Sequence, residues 1–264
     1  MTRVMIQPMA ILILLCFVAP ALGAVQHKAV RYTDGDTELV GYLYWNDALE
    51  DQRPGVMVVH EWWGLNEYAR QRAEMLAALG YVAFAVDMYG KDRVTEHPDE
   101  AKVWMQQITE NTDAWQKRAL LGLEILKQHE LVDPTRTAAI GYCFGGATVM
   151  QMAYAGADLD GVVSFHGSLP LPTDAQMPNI KARILVAHGS QDGFVPKERV
   201  DAFQAALNKA GADWQMAIYG GARHSFTVPD ADKRGIENIA YDKQADQRSW
   251  ATMQDFFNEI FAEE

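Results

Sequence analysis

One cysteine in this chain is set between glycines at a spacing that can do chemistry. Gly141-Tyr142-Cys143-Phe144-Gly145 has the G-x-nucleophile-x-G form, with cysteine where serine is usual. The apolar run Thr137–Tyr142 precedes it, and Ala147–Ala155 suits a helix after it. A nucleophile elbow needs that strand-turn-helix context. Its turn is too tight for bulk at the flanking positions, hence the glycines. The helix start also sets the sulfur near free N–H groups and the positive end of the helix dipole, which stabilise negative charge there. A buried cysteine acting as a small hydrophobe is the bland alternative. The surrounding glycines weigh against it.

A nucleophilic thiol needs a base, and the base needs a group to orient it. On the fold that uses such an elbow, the order along the chain is nucleophile, acid, histidine. Asp192 in Gly189-Ser190-Gln191-Asp192 and His224 in Arg223-His224-Ser225-Phe226 follow in that order, each just past an expected strand. Singly, they read as a capping carboxylate and a loop histidine. Together in this order they read as an acid and a base. An acyl-transfer site also needs donors for the oxyanion. The backbone N–H of Phe144 is one. The N–H of Trp62, after the expected strand Gly55–His60, is placed to be the second. The side chains of Trp62 and Trp63 either wall a pocket or pack in the core. His60, His166 and His188 also fall at strand ends. No His-x-His or His-x-x-x-His pair accompanies them, so His166 and His188 are expected to line or brace the pocket, with no metal. No cofactor is implied.

The elements that must hold these groups alternate. Ala29–Thr33 and Leu39–Trp45 read as an entry hairpin turned at Asp34-Gly35-Asp36. The later strands are expected at Gly55–His60, Tyr81–Val86, Thr137–Tyr142, Gly161–Phe165, Arg183–His188 and Trp214–Tyr219. Helices are expected from Asn66 to Leu79, Pro98 to Glu110, Asp113 to Glu130, Ala147 to Ala155, Pro196 to Gly211 and Tyr241 to Phe261. Asp133-Pro134 is expected to break the chain. Alternating strands and helices make one α/β domain around a doubly wound, mostly parallel sheet. In such sheets reactive groups gather at the carboxyl ends of the strands, where most of the side chains above fall. Only about fifteen residues, His166 to Ile180, separate two successive strands, too few for a lid domain. A small, open pocket is expected.

The 264 residues suffice for one large domain, and the formal net charge of -12 argues against a nucleic-acid partner. Residues 1–23 read as a secretory signal: Arg3, a short apolar run from Met9 to Val18, then Ala21 and Gly23. That run is too short to span a bilayer comfortably, so no stable membrane insertion is expected after cleavage. The mature domain, 24–264, is expected in the periplasm or secreted. Loss of Cys16 with the signal leaves Cys143 alone, so no intramolecular disulfide is expected. Oligomeric state is not legible here.

At these residues the chain resembles the dienelactone hydrolase family of α/β-hydrolases. His60–Asn66, Val86–Gly90, Gly141–Gly146, His188–Asp192 and His224–Phe226 carry the resemblance. It implies an α/β-hydrolase fold and hydrolysis of small esters or lactones through a thioester on Cys143. It also implies that Glu61 contacts the resting cysteine and helps activate it. Trp63, Tyr89, Lys91, His166 and Phe226 are the expected substrate contacts. Well-studied members clamp a substrate carboxylate with arginines, at positions matched here to Lys91 and to Thr227-Val228, so the clamp is weakened or absent. Acyl transfer to another acceptor, or an exported binding protein of the same fold, are the other readings.

Overall fold

The computed structural model describes residues 23–262. The expected signal sequence lies outside them, apart from Gly23. Among the described residues no helix is long and apolar enough to cross a membrane.

Each strand's composition explains its place. β1 (Val25–Asp34) and β2 (Thr37–Asn46) alternate in exposure and pair antiparallel around Gly35, whose φ of 58° the two-residue turn requires. β3 (Arg53–Val59), β4 (Val82–Val86), β5 (Val132–Tyr142), β6 (Gly161–Phe165) and β7 (Arg183–Gly189) are mostly buried apolar runs, as sheets covered on both faces demand. β8 (Trp214–Tyr219) closes an eight-stranded sheet of order β1-β2-β4-β3-β5-β6-β7-β8. From β4 to β8 all pairs are parallel; β1 and β2 form an antiparallel edge.

Successive residues of β3 point to opposite layers. Met57 and Val59 pack with Leu123, Met150 and Phe203; Val56 and Val58 pack with Leu76, Met253 and Phe257. Hence α3 (Thr112–Lys127), α4 (Phe144–Tyr154) and α5 (Lys197–Ala210) cover one face, and α1 (Glu67–Ala78) and α6 (Lys243–Ile260) the other. α2 (Pro98–Thr109) packs beside α3. This is the α/β-hydrolase arrangement, in one domain. Only a loop with a single 3-10 turn at Met177–Asn179 joins β6 to β7, so no lid domain is inserted there.

The expected break at Asp133-Pro134 is a kink inside β5. Val132 and Asp133 already pair with Arg53 and Pro54; the register then jumps to Thr137 opposite Gly55. Asp133 Oδ1 accepts from Thr135 N and Oγ1, at 3.0 and 2.7 Å, so a side-chain turn absorbs the three intervening residues.

Arg72 on α1 and Asp246 on α6 make a 2.6 Å ion pair, their side chains only 7% and 13% exposed. Arg72 Nη2 also donates to the Thr227 carbonyl at 2.7 Å. Removing one partner leaves a buried charge unmatched, at about 3 kcal/mol. Asp246→Asn is therefore expected to lower Tm by about 10 °C in calorimetry. A change within error would show that solvent reaches the pair.

Candidate active site

Cys143 stands between β5 and α4 with φ 54° and ψ -111°, a conformation a β-substituted residue adopts only when its surroundings impose it. Those surroundings are backbone. A Cβ at Gly141 would overlap the Gly145 carbonyl, and one at Gly145 would overlap the Val59 and His60 carbonyls. Cys143 N donates to the Phe165 carbonyl at 3.0 Å, pinning the elbow to β6. The sulfur stays partly exposed. α4 begins at Phe144, three residues earlier than expected, so the Phe144 N–H heads the helix with no intrahelical acceptor.

His224 follows β8, held by His224 N to the Asn238 carbonyl at 3.2 Å and Ala240 N to the His224 carbonyl at 3.1 Å. Its Nδ1 is 2.8 Å from Asp192 Oδ2, and the Asp192 side chain is fully buried. Asp192 is itself held by Phe194 N, which donates to Oδ1 at 3.0 Å. Burial opposes a charge on the His224 ring, but Cys143 and Asp192 outweigh it, through charge and hydrogen bonding, and hold its pKa well above the ordinary imidazole value. Sulfur, imidazole and carboxylate thus form one linked row, gathered from the ends of β5, β8 and β7.

Glu61 is buried beside this row, and Ser225 Oγ donates to its Oε1 at 2.7 Å. Burial pushes the Glu61 carboxyl up; the Ser225 bond and the positive charges of His224 and Arg234 oppose that. His60 Nδ1 bonds the Glu61 carbonyl and its Nε2 accepts from Met88 N at 3.2 Å, tying the ends of β3 and β4 together. Asp87 organises the next loop, accepting from Tyr89 N and Gly90 N, both at 2.9 Å. Trp62, partly exposed, meets buried Trp63 edge-on at 4.8 Å. The Tyr89 ring lies 5.3 Å from Phe144, and burial, then the Cys143 sulfur, push its hydroxyl pKa up.

Of the expected substrate contacts, Lys91 lies away from the row, and Phe226 and His166 are buried behind His224. Lys91 is exposed, 3.8 Å from Glu38 on β2, because that acid and the Lys91 N–H to Glu38 carbonyl bond draw it to the hairpin. Phe226 is fully buried, 5.3 Å from His166 and 5.6 Å from Tyr219, so it braces the histidines from behind. His166 is fully buried as well, meeting His224 edge-on at 5.2 Å. Other residues escape the sequence reading. Phe194, 54% exposed, meets His224 edge-on at 5.2 Å at the mouth of the site. The Arg234 guanidinium lies 4.2 Å over Trp63. Ser225 and Thr227 carried a weak signal, being polar neighbours of His224.

The model of the dienelactone hydrolase family matches residues 39–261, which includes every residue of this site. The chain belongs to the dienelactone hydrolase family. It is a hydrolase of that family's ester- and lactone-cleaving kind. Protein usf of Aquifex pyrophilus is 33% identical over 214 residues, 78% of this chain and 88% of that one. Among solved structures, "m3DLH" is 40% identical with a TM-score of 0.88, over 91% of this chain and 100% of that one. A dienelactone hydrolase-like promiscuous phosphotriesterase, P91, from metagenomic libraries is 38% identical with a TM-score of 0.88, over the same shares, 91% and 100%.

The buried histidines give the family member a pH signature. Burial lowers the pKa of His60, His166 and His188, with the His224 and Arg72 charges adding to the effect at His166. Unfolded, each takes up a proton below about pH 6.5. The unfolded state therefore binds more protons there, and stability falls on acidification by up to about 1.4 kcal/mol per pH unit for each histidine kept neutral. His224 has the opposite sign. Its raised value gives stability that is full below about pH 6.5 and lost as pH rises through the folded value. Calorimetry is expected to show a Tm maximum near neutrality and a fall of several degrees by about pH 5. A Tm that holds or rises on acidification would mean that these histidines take up protons in the fold.

Proposed function

We propose that this protein hydrolyses small esters or lactones through a thioester on Cys143. The observation that carries this reading is the row Cys143–His224–Asp192 at a strained strand-to-helix elbow. His224 carries the proton drawn from the Cys143 thiol, and the thiolate Sγ forms the bond to the carbonyl carbon. The oxyanion is received by the N–H groups of Phe144 and Trp62, neither of which has an acceptor among the described residues. Collapse breaks the C–O bond, and the leaving alkoxide takes the proton from His224. With a lactone, the alkoxide stays tethered to the acyl group. Water then attacks the thioester, its proton passing to His224, and the sulfur leaves. Asp192 holds the His224 tautomer throughout. Glu61, buried and held by Ser225 Oγ, is the residue that the family resemblance implies for activating the thiol.

The substrate class follows from what surrounds the row. Trp62 and Phe194 offer apolar surface at the mouth, and a site with no lid domain among the described residues favours small molecules. Lys91 is engaged with Glu38, so the proposed substrate is a neutral or weakly acidic small molecule. Residues 1–23 support action outside the cytoplasm, in the periplasm or secreted. The proposed partner is the small molecule alone, with no nucleic acid and no cofactor. Hydrolysis of p-nitrophenyl acetate and a panel of small neutral and carboxylated lactones tests this. Faster turnover of the neutral lactones is expected; turnover confined to carboxylated ones would overturn the substrate class.

The likeness to P91 supports a second, weaker activity at the same site. Attack by Cys143 on a phosphotriester would expel the aryloxide and leave a phosphorylated sulfur. Slow release of p-nitrophenol from diethyl p-nitrophenyl phosphate, absent in Cys143→Ala, is the expected result.

A further inference from the structure

Behind His224, a run of hydrogen bonds that the acyl chemistry does not use leads from α1 to His166. Arg72 Nε donates to Tyr68 Oη at 3.2 Å. Tyr68 Oη lies 2.6 Å from Thr227 Oγ1, which lies 2.8 Å from His166 Nε2. Arg72, Thr227 and His166 are buried.

One direction gives every hydroxyl proton in the run an acceptor within it. Arginine can only donate, so the run starts at Arg72. The reverse direction leaves the Tyr68 proton with no acceptor in the run. Thr227 Oγ1 is the acceptor within reach among the described residues. The Thr227 proton then points to His166 Nε2. That nitrogen accepts, so the ring proton is on Nδ1. Nδ1 is buried with no hydrogen-bond partner among the described residues, so the bond at Nε2 alone sets where the ring proton sits.

We propose that Arg72, acting through Tyr68 and Thr227, fixes His166 as the neutral Nδ1-protonated imidazole, and that His166 in this form is a positioning residue for His224. The His166 ring meets His224 edge-on at 5.2 Å and is backed by Phe226 at 5.3 Å and Tyr142 at 5.9 Å. Its backbone φ of 41° is one a β-substituted residue holds only when its surroundings fix it. With Nε2 capped, the ring neither flips nor takes the proton His224 carries, so positive charge in this pair develops on His224 alone. The titratable and charged groups facing His166 are His224, His188 of β7, Tyr142 of β5, and Tyr68 and Arg72 of α1. Asp246 of α6 lies behind Arg72, and Glu61 acts on Tyr68 and Tyr142. This inference rests on the reading of His224 as the base.

The test is the tautomer of His166, read by long-range ¹H–¹⁵N correlation of the imidazoles, with His166→Gln giving the assignment. The protein and Thr227→Ser are expected to show Nδ1–H with no titration between about pH 5 and 8. Thr227→Val, nearly the same shape without the hydroxyl, is expected to show Nε2–H or a mixture. Tyr68→Phe, which breaks the run one link earlier, is expected to do the same. Thr227→Val is further expected to lose about fivefold in kcat with KM little changed, to shift the acid limb of its pH profile, and to be rescued by Thr227→Ser. Nε2–H in the unaltered protein, a titration near the ordinary histidine range, or Nδ1–H persisting in both Thr227→Val and Tyr68→Phe would each overturn the proposal. The tautomer is read without turnover, so a failure of the thioester reading is seen separately, as a loss of the Cys143 dependence.

Discussion

Replacing Cys143 with alanine is expected to reduce ester hydrolysis by about 10⁴-fold, with KM little altered and the fold intact. The side chain is partly exposed, so its loss opens no core cavity, and the backbone bond from this position to Phe165 is kept. What disappears is the only atom in the row that can form the acyl bond. The Phe144 and Trp62 N–H groups remain, so a residual rate above the uncatalysed one is expected from oxyanion binding alone. Cys143→Ser is expected to recover only a small part of the loss, because a hydroxyl at this site yields its proton to His224 far less readily than a thiol. Steady-state kinetics on p-nitrophenyl acetate give the answer. A Cys143→Ala protein within tenfold of the unaltered one would move the nucleophile elsewhere.

Asp192→Asn is expected to reduce kcat by about 10³-fold, with binding nearly unchanged. The carboxylate accepts from two donors, His224 Nδ1 at 2.8 Å and Phe194 N at 3.0 Å. An amide in its place can present an N–H to His224 Nδ1, which forces the ring into the tautomer that cannot take the thiol proton at Nε2. The pH profile carries the sign. Asp192 helps to raise the His224 pKa, so its removal lets the ring lose its proton at lower pH and moves the His224 limb downward. A limb that stays in place would assign the effect to Cys143 alone.

How much of this is legible in the sequence depends on which forces decide each feature. The buried runs at β3 to β7 and the glycine-bounded elbow are set by local periodicity and turn sterics, and they read directly. So do Asp192 and His224, because both sit one loop past a strand. Lys91 misleads because its motif position fixes its backbone but not its side chain. Glu38, on the antiparallel edge, is brought near only by the hairpin pairing. Phe226 misleads for a related reason: Ser225 has φ 55°, which turns the chain so that the ring faces inward onto His166. Phe194 and Arg234 are invisible because long-range loop packing, which no spacing rule encodes, brings them to the site. Arg72 looks like any polar residue of an amphipathic helix. Its buried partner, Asp246, is 174 residues further along the chain.

The most direct measurement is mass spectrometry of the protein quenched in acid within milliseconds of mixing with p-nitrophenyl acetate, followed by peptide mapping. The mass of one acetyl group on the peptide holding Cys143, labile to hydroxylamine and absent in Cys143→Ala, is the predicted result. Turnover at full rate with no acyl adduct at Cys143, or with the acetyl group on another residue, would contradict it.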